Sequence, residues 1–142
     1  MRKYTIKNLT DTKKLAEQLA SSFKGGEVLG LVGDLGAGKT TFVQFLAQVL
    51  GVKDTVNSPT FNIIKSYKIL NPKSKIKNLI HIDAYRLNSP EELTALGVEE
   101  HFNDEKTVTI IEWADKVMET LPKNAIKINI KLDKNTRTFK IS

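Results

Sequence analysis

Residues 33–40 have the side chains and the spacing needed to hold a triphosphate. Backbone N–H groups reach phosphate oxygens only when the chain wraps closely around them, and Gly36 and Gly38 lack the Cβ atoms that would prevent this. Lys39 supplies a positive charge for the β- and γ-phosphates, and the Thr40 hydroxyl is a ligand for Mg²⁺. The stretch fits the phosphate-binding pattern G-x-x-x-x-G-K-[ST].

The flanking residues predict the strand and the helix that such a loop requires. Val28–Val32 is a short apolar run typical of a buried parallel strand. After the loop, apolar residues recur at helical spacing until Gly51, a residue type that commonly ends helices. The free N–H groups and positive dipole end of this helix would face the phosphates. Strand, loop and helix in this order favour a nucleotide site over an ordinary glycine-rich turn.

Two carboxylates are predicted at the ends of later strands. Asp83 lies near the end of the predicted strand 78–84, and Glu112 directly follows the predicted strand 108–111. Because ligands bind at the carboxyl ends of strands in open α/β sheets, both side chains could hold Mg²⁺ or position a water molecule. The alternatives are an Asp that caps a turn and a Glu in a salt bridge. We expect His81 to pack or hydrogen-bond locally, because the sequence offers no partner ligands for a metal.

Hydroxyl residues surround Pro59 shortly after the predicted loop and helix. Segments that sense the γ-phosphate often lie here in P-loop NTPases, but a polar turn held by proline explains these residues equally well. Arg86, just after the Asp83 strand, is likewise either a phosphate clamp or a member of a structural ion pair.

The whole pattern predicts a single α/β P-loop NTPase domain over residues 1–142. We expect three layers, with helices flanking a central mixed sheet that is parallel near the nucleotide and antiparallel at its edges. Further strands are predicted at 4–6, 61–69, 125–132 and 137–141, with 61–69 and 78–84 forming a hairpin at a sheet edge.

Three further helices are predicted from their end signals. The first is capped within residues 10–12 and stopped by Gly25 and Gly26. The second begins with a capping box from Ser89 to Glu92 and turns Leu93 and Leu96 inward. The third covers residues 114–121.

Composition narrows the function classes. The chain has no cysteine, which excludes disulfides and thiolate metal sites. It shows neither a signal-peptide core nor an apolar run that could span a bilayer, so we expect a cytoplasmic protein without a membrane partner. The net charge of +6 is compatible with an RNA partner, but a lysine-rich surface without an aromatic RNA-binding motif is the simpler explanation.

Missing motifs restrict the choice of nucleotide. The sequence contains neither N-K-x-D nor D-x-x-G, which argues against a Ras-like GTPase and leaves ATP as the expected nucleotide. The chain also has little length for the lid and acceptor site of a small-molecule kinase. A small-molecule phosphotransferase and a nucleotide-dependent binding module with negligible turnover stay open as alternatives.

Several motifs together resemble one family. GDLGAGKTTF, NSPTF, HIDAYRL with SPEEL-x-x-LG, IIEWADK and LP occur in the order and spacing of the bacterial TsaE (YjeE) family. The resemblance runs from about residue 10 to residue 122. Proteins of this family are small ATPases required for making threonylcarbamoyladenosine in tRNA, the modified adenosine next to the anticodon.

The resemblance implies roles for matching residues. It implies that ATP is bound by Asp34, Leu35, Gly36, Ala37, Gly38, Lys39, Thr40 and Thr41. It implies that Mg²⁺ is bound by Thr40 and Glu112, and that hydrolysis depends on Lys39, Asp83 and Glu112. It places the adenine near Leu9, Thr10 and Asp11. It implies switch or partner-binding roles for Ser58, Pro59, Thr60, Tyr85, Arg86 and Trp113.

The resemblance also implies an accessory role. Such a protein binds a complex of TsaB and TsaD, of which TsaD transfers the threonylcarbamoyl group. The implied link to tRNA is therefore indirect, and direct contact through the basic surface stays open as an alternative. ATP binding would favour assembly, and hydrolysis to ADP would reset it. We expect slow hydrolysis by the isolated chain, because no arginine finger is evident in the sequence.

Overall fold

The computed structural model describes residues 2–34, 36–57, 59 and 63–142. Within these ranges the strands are β1 (Arg2–Ile6), β2 (Val28–Val32), β3 (Ile64–Lys68), β4 (Asn78–Asp83), β5 (Thr107–Glu112), β6 (Ile126–Asp133) and β7 (Thr136–Ile141). The α-helices are α1 (Leu9–Ser21), α2 (Lys39–Leu50), α3 (Pro90–Thr94) and α4 (Glu99–Phe102). Two 3₁₀ turns span Ala114–Lys116 and Met118–Thr120.

The strands form one mixed sheet in the order β1-β7-β6-β2-β5-β4-β3. β2 pairs in parallel with β5 and β6, and β4 pairs in parallel with β5. The outer pairs β1–β7, β6–β7 and β3–β4 are antiparallel. This confirms the predicted parallel centre with antiparallel edges, including the β3–β4 hairpin at one edge. The register sets Glu112 beside both Leu31 and Asp83, so the central strands end together.

Helices cover both faces of the sheet, as the three-layer prediction requires. On one face α1 and α2 bury a large apolar cluster in which Phe42 meets Phe139 edge-on, with ring centroids 5.1 Å apart. On the other face a second cluster includes the fully buried Leu93, Val98 and Val117. Full burial of one such apolar side chain contributes roughly 1.5–3 kcal/mol, so the two clusters hold the sheet between its helical layers.

The ends of the first two long helices differ in how well the sequence predicted them. α1 begins earlier than expected, because Asn8 is extended and its side-chain oxygen accepts a hydrogen bond from the Asp11 N–H at 2.9 Å. The prediction of a cap within residues 10–12 is therefore wrong. α1 also ends at Ser21, before the glycine pair. α2 ends as predicted at Gly51, which adopts a left-handed conformation with φ of 108°.

The region after β4 departs further from prediction. Ser89 makes no side-chain capping bond, although Glu92 still accepts a hydrogen bond from the Asn88 N–H at 3.3 Å. Leu93 is buried as predicted, but Leu96 is 47% exposed because α3 ends at Thr94.

The predicted helix over residues 114–121 is instead a pair of 3₁₀ turns. Val117 interrupts them with a φ of −134°, outside the helical range. Within the described ranges, no helix combines the length and apolar character needed to cross a bilayer.

Candidate functional site

The loop between β2 and α2 is shaped for close approach to a ligand. Gly36 and Gly38 adopt positive φ values of 81° and 100°, a region that residues with a Cβ avoid. The loop turns on a hydrogen bond from the Ala37 N–H to the Asp34 carbonyl at 3.0 Å. Leu35 lies outside the described residues. The backbone thus has the curvature that the glycine spacing predicts.

A cavity of about 490 Å³ opens over this loop. It is lined by Asp34, Gly36, Gly38, Lys39, Thr40, Thr41, Asp83, Tyr85, Glu112, Trp113 and Arg137. Except for Arg137, these are all residues that the sequence predicts for the site. Small-molecule sites typically enclose roughly 300–1,000 Å³, so the cavity has the size of a ligand site.

Lys39 is held against the loop from which it projects. Its amine donates to the carbonyls of Gly33 and Asp34, the latter at 3.0 Å, and lies 4.1 Å from the centroid of the Trp113 ring. Burial lowers the pKa of Lys39 below its ordinary value, and nearby carboxylates, Glu112 first among them, oppose that shift. A buried cation therefore sits at the floor of the cavity, among groups that favour its charged form.

Glu112 joins the loop to the centre of the sheet. Its Oε1 accepts a hydrogen bond from the Thr40 hydroxyl at 3.1 Å, and its Oε2 lies 2.6 Å from Nε2 of His81. Hydroxyl and carboxylate oxygens are the hard donors that Mg²⁺ prefers, and Mg²⁺ commonly takes one or two carboxylates together with phosphate oxygens. The side chains of Thr40 and Glu112 therefore fit a nucleotide-bound Mg²⁺ ion.

Asp83 connects this centre to the segment around Pro59. Its carboxylate accepts a hydrogen bond from the Tyr85 N–H at 3.0 Å, and its own N–H donates to the Ile63 carbonyl at 2.8 Å. The Ile63 N–H in turn donates to the carbonyl of the buried Pro59 at 3.0 Å. Ile63 has a φ of 65°, which is rare for a β-branched residue. Ser58 and Thr60 lie outside the described residues.

Trp113 and Tyr85 form the rim of the cavity. Trp113 has a left-handed backbone with φ of 58°, and its ring centroid lies 5.0 Å from that of Tyr85. Lys116 donates to the Tyr85 carbonyl at 2.6 Å. Trp113 is half-buried; it lines the cavity and also packs against the second apolar cluster. The exposed Arg86 is not among the residues that line the cavity.

Arg137 is a site residue that the sequence analysis missed. It lies on β7 opposite Ile6, and a Cβ added to Gly38 would stand 3.1 Å from its Nε. Its Nε is buried and has no hydrogen-bond partner among the described residues. Nothing in the alternating pattern of the last strand marked this residue, because only the sheet order brings β7 next to the loop.

The start of α1 lies outside the cavity lining. The predicted adenine-edge residues Leu9, Thr10 and Asp11 do not appear among its lining residues, and Leu9 is 61% exposed. They follow closely after Ile6, the last residue of β1, and Ile6 pairs with the cavity residue Arg137. Their contact with a base stays a prediction.

Comparison with known proteins gives one consistent family. The model for the threonylcarbamoyl adenosine biosynthesis protein TsaE matches residues 6–139. Curated relatives include the tRNA threonylcarbamoyladenosine biosynthesis proteins TsaE of Bacillus subtilis and Aquifex aeolicus. The first is 42% identical over 91% of this chain and 77% of its own length. The second is 37% identical over 99% of this chain and 96% of its own length.

A solved structure has the same fold. The crystal structure of Bacillus subtilis YdiB superposes with a TM-score of 0.75 and is 34% identical. The superposition covers 99% of this chain and 83% of that one. The fold of this chain is thus shared with a structure solved by crystallography.

Proposed function

The chain belongs to the TsaE family, and from that premise we propose that it is a Mg²⁺-dependent ATPase serving the formation of threonylcarbamoyladenosine in tRNA. The observation that carries the proposal is the 3.1 Å hydrogen bond between Thr40 and Glu112, beside the buried Lys39 in the loop cavity. In this proposal the hydroxyl and the carboxylate would bind Mg²⁺, and the neighbouring amine of Lys39 would bind phosphate.

The loop would bind the phosphates and stabilise the charge that develops on them. Burial lowers the pKa of Lys39 and nearby carboxylates oppose that shift; on ATP binding the amine would exchange the carbonyls of Gly33 and Asp34 for phosphate oxygens. The guanidinium of Arg137 adds a second cation on the β7 side of the cavity. Bound Mg²⁺ would neutralise negative charge on the β- and γ-phosphates.

The two carboxylates would divide the remaining work. Glu112 is committed on both oxygens, to Thr40 and to His81, which suits a carboxylate held in place to bind a metal. Asp83 stands beside Glu112 in the register and also lines the cavity, and we assign to it the orientation of the attacking water.

The ATP cycle would be transmitted through the backbone of the segment around Pro59. Two hydrogen bonds link Pro59 through Ile63 to Asp83, so a change at Asp83 would be passed to Pro59. Tyr85, which is 49% exposed, and Trp113 offer an aromatic rim at the same place. We propose that this surface engages TsaB and TsaD in the cytoplasm, and that the chain contacts tRNA only through them.

Phosphate release from ATP by the purified chain tests this function. We expect Mg²⁺-dependent release that is slow alone and faster with TsaB and TsaD. Radiolabelled ATP separates the alternatives, because label transferred to a small acceptor without protein partners would identify a phosphotransferase. The other alternative predicts that ATP promotes partner binding and that Glu112→Ala changes neither the assembly of the complex nor its release. That result would identify a binding module with negligible turnover.

A further inference from the structure

His81 makes one hydrogen bond from a fully buried position. It lies on β4 in register with Ile110 and has no exposed surface. Its Nε2 is 2.6 Å from Oε2 of Glu112, whereas its Nδ1 is buried and without a partner among the described residues. An ionised carboxylate can only accept, so towards a metal-binding Glu112 the Nε2–H of the ring would be the donor. Among the described residues, the hydrogen bond to Glu112 is therefore the one that the ring makes.

The geometry points to His81 as the residue that positions Glu112 for Mg²⁺, an inference that rests on the proposed Mg²⁺-dependent function. The carboxylate is held at both oxygens: His81 fixes Oε2, which leaves Oε1 directed towards the Thr40 hydroxyl at 3.1 Å. Without the imidazole, the Glu112 side chain could rotate and separate the two metal-binding oxygens. Ligating carboxylates are commonly oriented in this way by a hydrogen bond on the side away from the metal.

A purely structural role explains the same contact less well. β4 is already paired along its whole length with β5, from Asn78 opposite Thr107 to Asp83 opposite Glu112, and is also paired with β3. An apolar side chain at position 81 would fill a strand in this core without leaving a buried Nδ1 unpaired. A buried polar atom without a partner typically costs roughly 1–3 kcal/mol, so the histidine is unfavourable for packing alone.

Substitutions that differ only in the position of the donor test this inference. His81→Gln can place an amide N–H near the position of Nε2, whereas the shorter His81→Asn reaches only as far as Nδ1. His81→Leu removes the donor altogether. Thr109→Val is the matched control, because it removes another buried polar atom that has no partner among the described residues. Thr109 lies three positions before Glu112 on β5, so the two side chains point to opposite faces of the sheet. Circular dichroism and thermal unfolding verify that each variant is folded.

Binding of Mn²⁺, measured by electron paramagnetic resonance with and without ADP, is the readout. We expect His81→Leu and His81→Asn to weaken ADP-dependent Mn²⁺ binding about 10- to 100-fold, the range seen for residues that orient metal ligands. His81→Gln and Thr109→Val should bind Mn²⁺ nearly as the wild type does. ADP affinity measured in EDTA should be the same for all variants.

Two results would overturn the inference and are distinguishable. If the wild type shows ADP-dependent Mn²⁺ binding but His81→Asn and His81→Leu bind Mn²⁺ as tightly as it does, or His81→Gln binds as weakly as they do, the role of His81 is wrong and the proposed function is not contradicted. If the wild type itself shows no ADP-dependent Mn²⁺ binding, the proposed function fails and the inference fails with it.

Discussion

Replacement of Arg137 tests whether the C-terminal hairpin completes the nucleotide site. Its guanidinium lines the cavity and lies against Gly38, with a buried Nε that has no partner in the described part of the chain. We expect Arg137→Met to weaken ADP and ATP binding, because methionine keeps much of the length and apolar contact but removes the charge and the donors.

The expected size of this loss follows from the kind of bond removed. A hydrogen bond to a charged group contributes roughly 1.5–3 kcal/mol, which corresponds to about a 10- to 150-fold change in Kd. Nε has no hydrogen-bond partner among the described residues. Its removal therefore breaks no hydrogen bond within that part of the fold, and no loss of stability is expected from this atom. Arg137→Lys should give an intermediate loss, because an ammonium keeps the charge but not the planar fork.

Isothermal titration calorimetry with ATP, ADP and adenosine is the assay. If Arg137 binds phosphate, Arg137→Met should weaken ATP and ADP binding while changing the adenosine affinity little. An equal loss for adenosine would indicate that the residue contacts the base or the ribose instead. Unchanged affinity for all three ligands would refute a nucleotide-binding role for Arg137.

Four further predictions concern the site and the fold. Glu112→Gln should lower the apparent Mg²⁺ affinity in phosphate-release assays by at least about 10-fold, because loss of a ligand should cost no less than loss of a residue that orients one; an unchanged Mg²⁺ curve would contradict its role as a ligand. Because Lys39 lies 4.1 Å from Trp113, the only tryptophan, ATP should change the fluorescence of the wild type but not of Lys39→Ala; equal responses would contradict movement of this lysine. Gly30→Ala should lower the free energy of unfolding by about 1–3 kcal/mol in urea, since the new Cβ would crowd Ala114 and Leu121. Asn8→Ala should lower the free energy of unfolding by about 1 kcal/mol through loss of the α1 cap. Unchanged urea midpoints would contradict the predictions for Gly30→Ala and Asn8→Ala.

The sequence predicted the parts of the site that depend on local pattern. Glycine spacing predicted the loop, apolar runs predicted β2 and β5, and the order of elements in α/β folds placed Asp83 and Glu112 at one edge. All of these were confirmed because each depends on neighbouring residues or on a general rule of sheet topology. The start of α1 was predicted less well, because the cap is Asn8, two residues before the expected caps.

The remaining site residues depend on contacts between distant parts of the chain. Arg137 reaches the loop only because β7 joins the sheet between β1 and β6. His81 was expected to pack or to hydrogen-bond locally rather than to bind a metal; it is fully buried, and the sequence did not indicate that its hydrogen-bond partner is Glu112 on the next strand. Neither relationship has a sequence spacing from which it could be read, since both follow from strand order and register.

Multiple-turnover modification of tRNA tests the central claim most directly. The assay combines the chain with TsaB, TsaD, tRNA, ATP and the threonylcarbamoyl donor, and counts modified tRNA per TsaB–TsaD complex. The proposed function predicts repeated turnover with the wild type and a stop after the first round with Lys39→Ala or Glu112→Ala. Sustained turnover with both variants would contradict a role for ATP hydrolysis in resetting the complex.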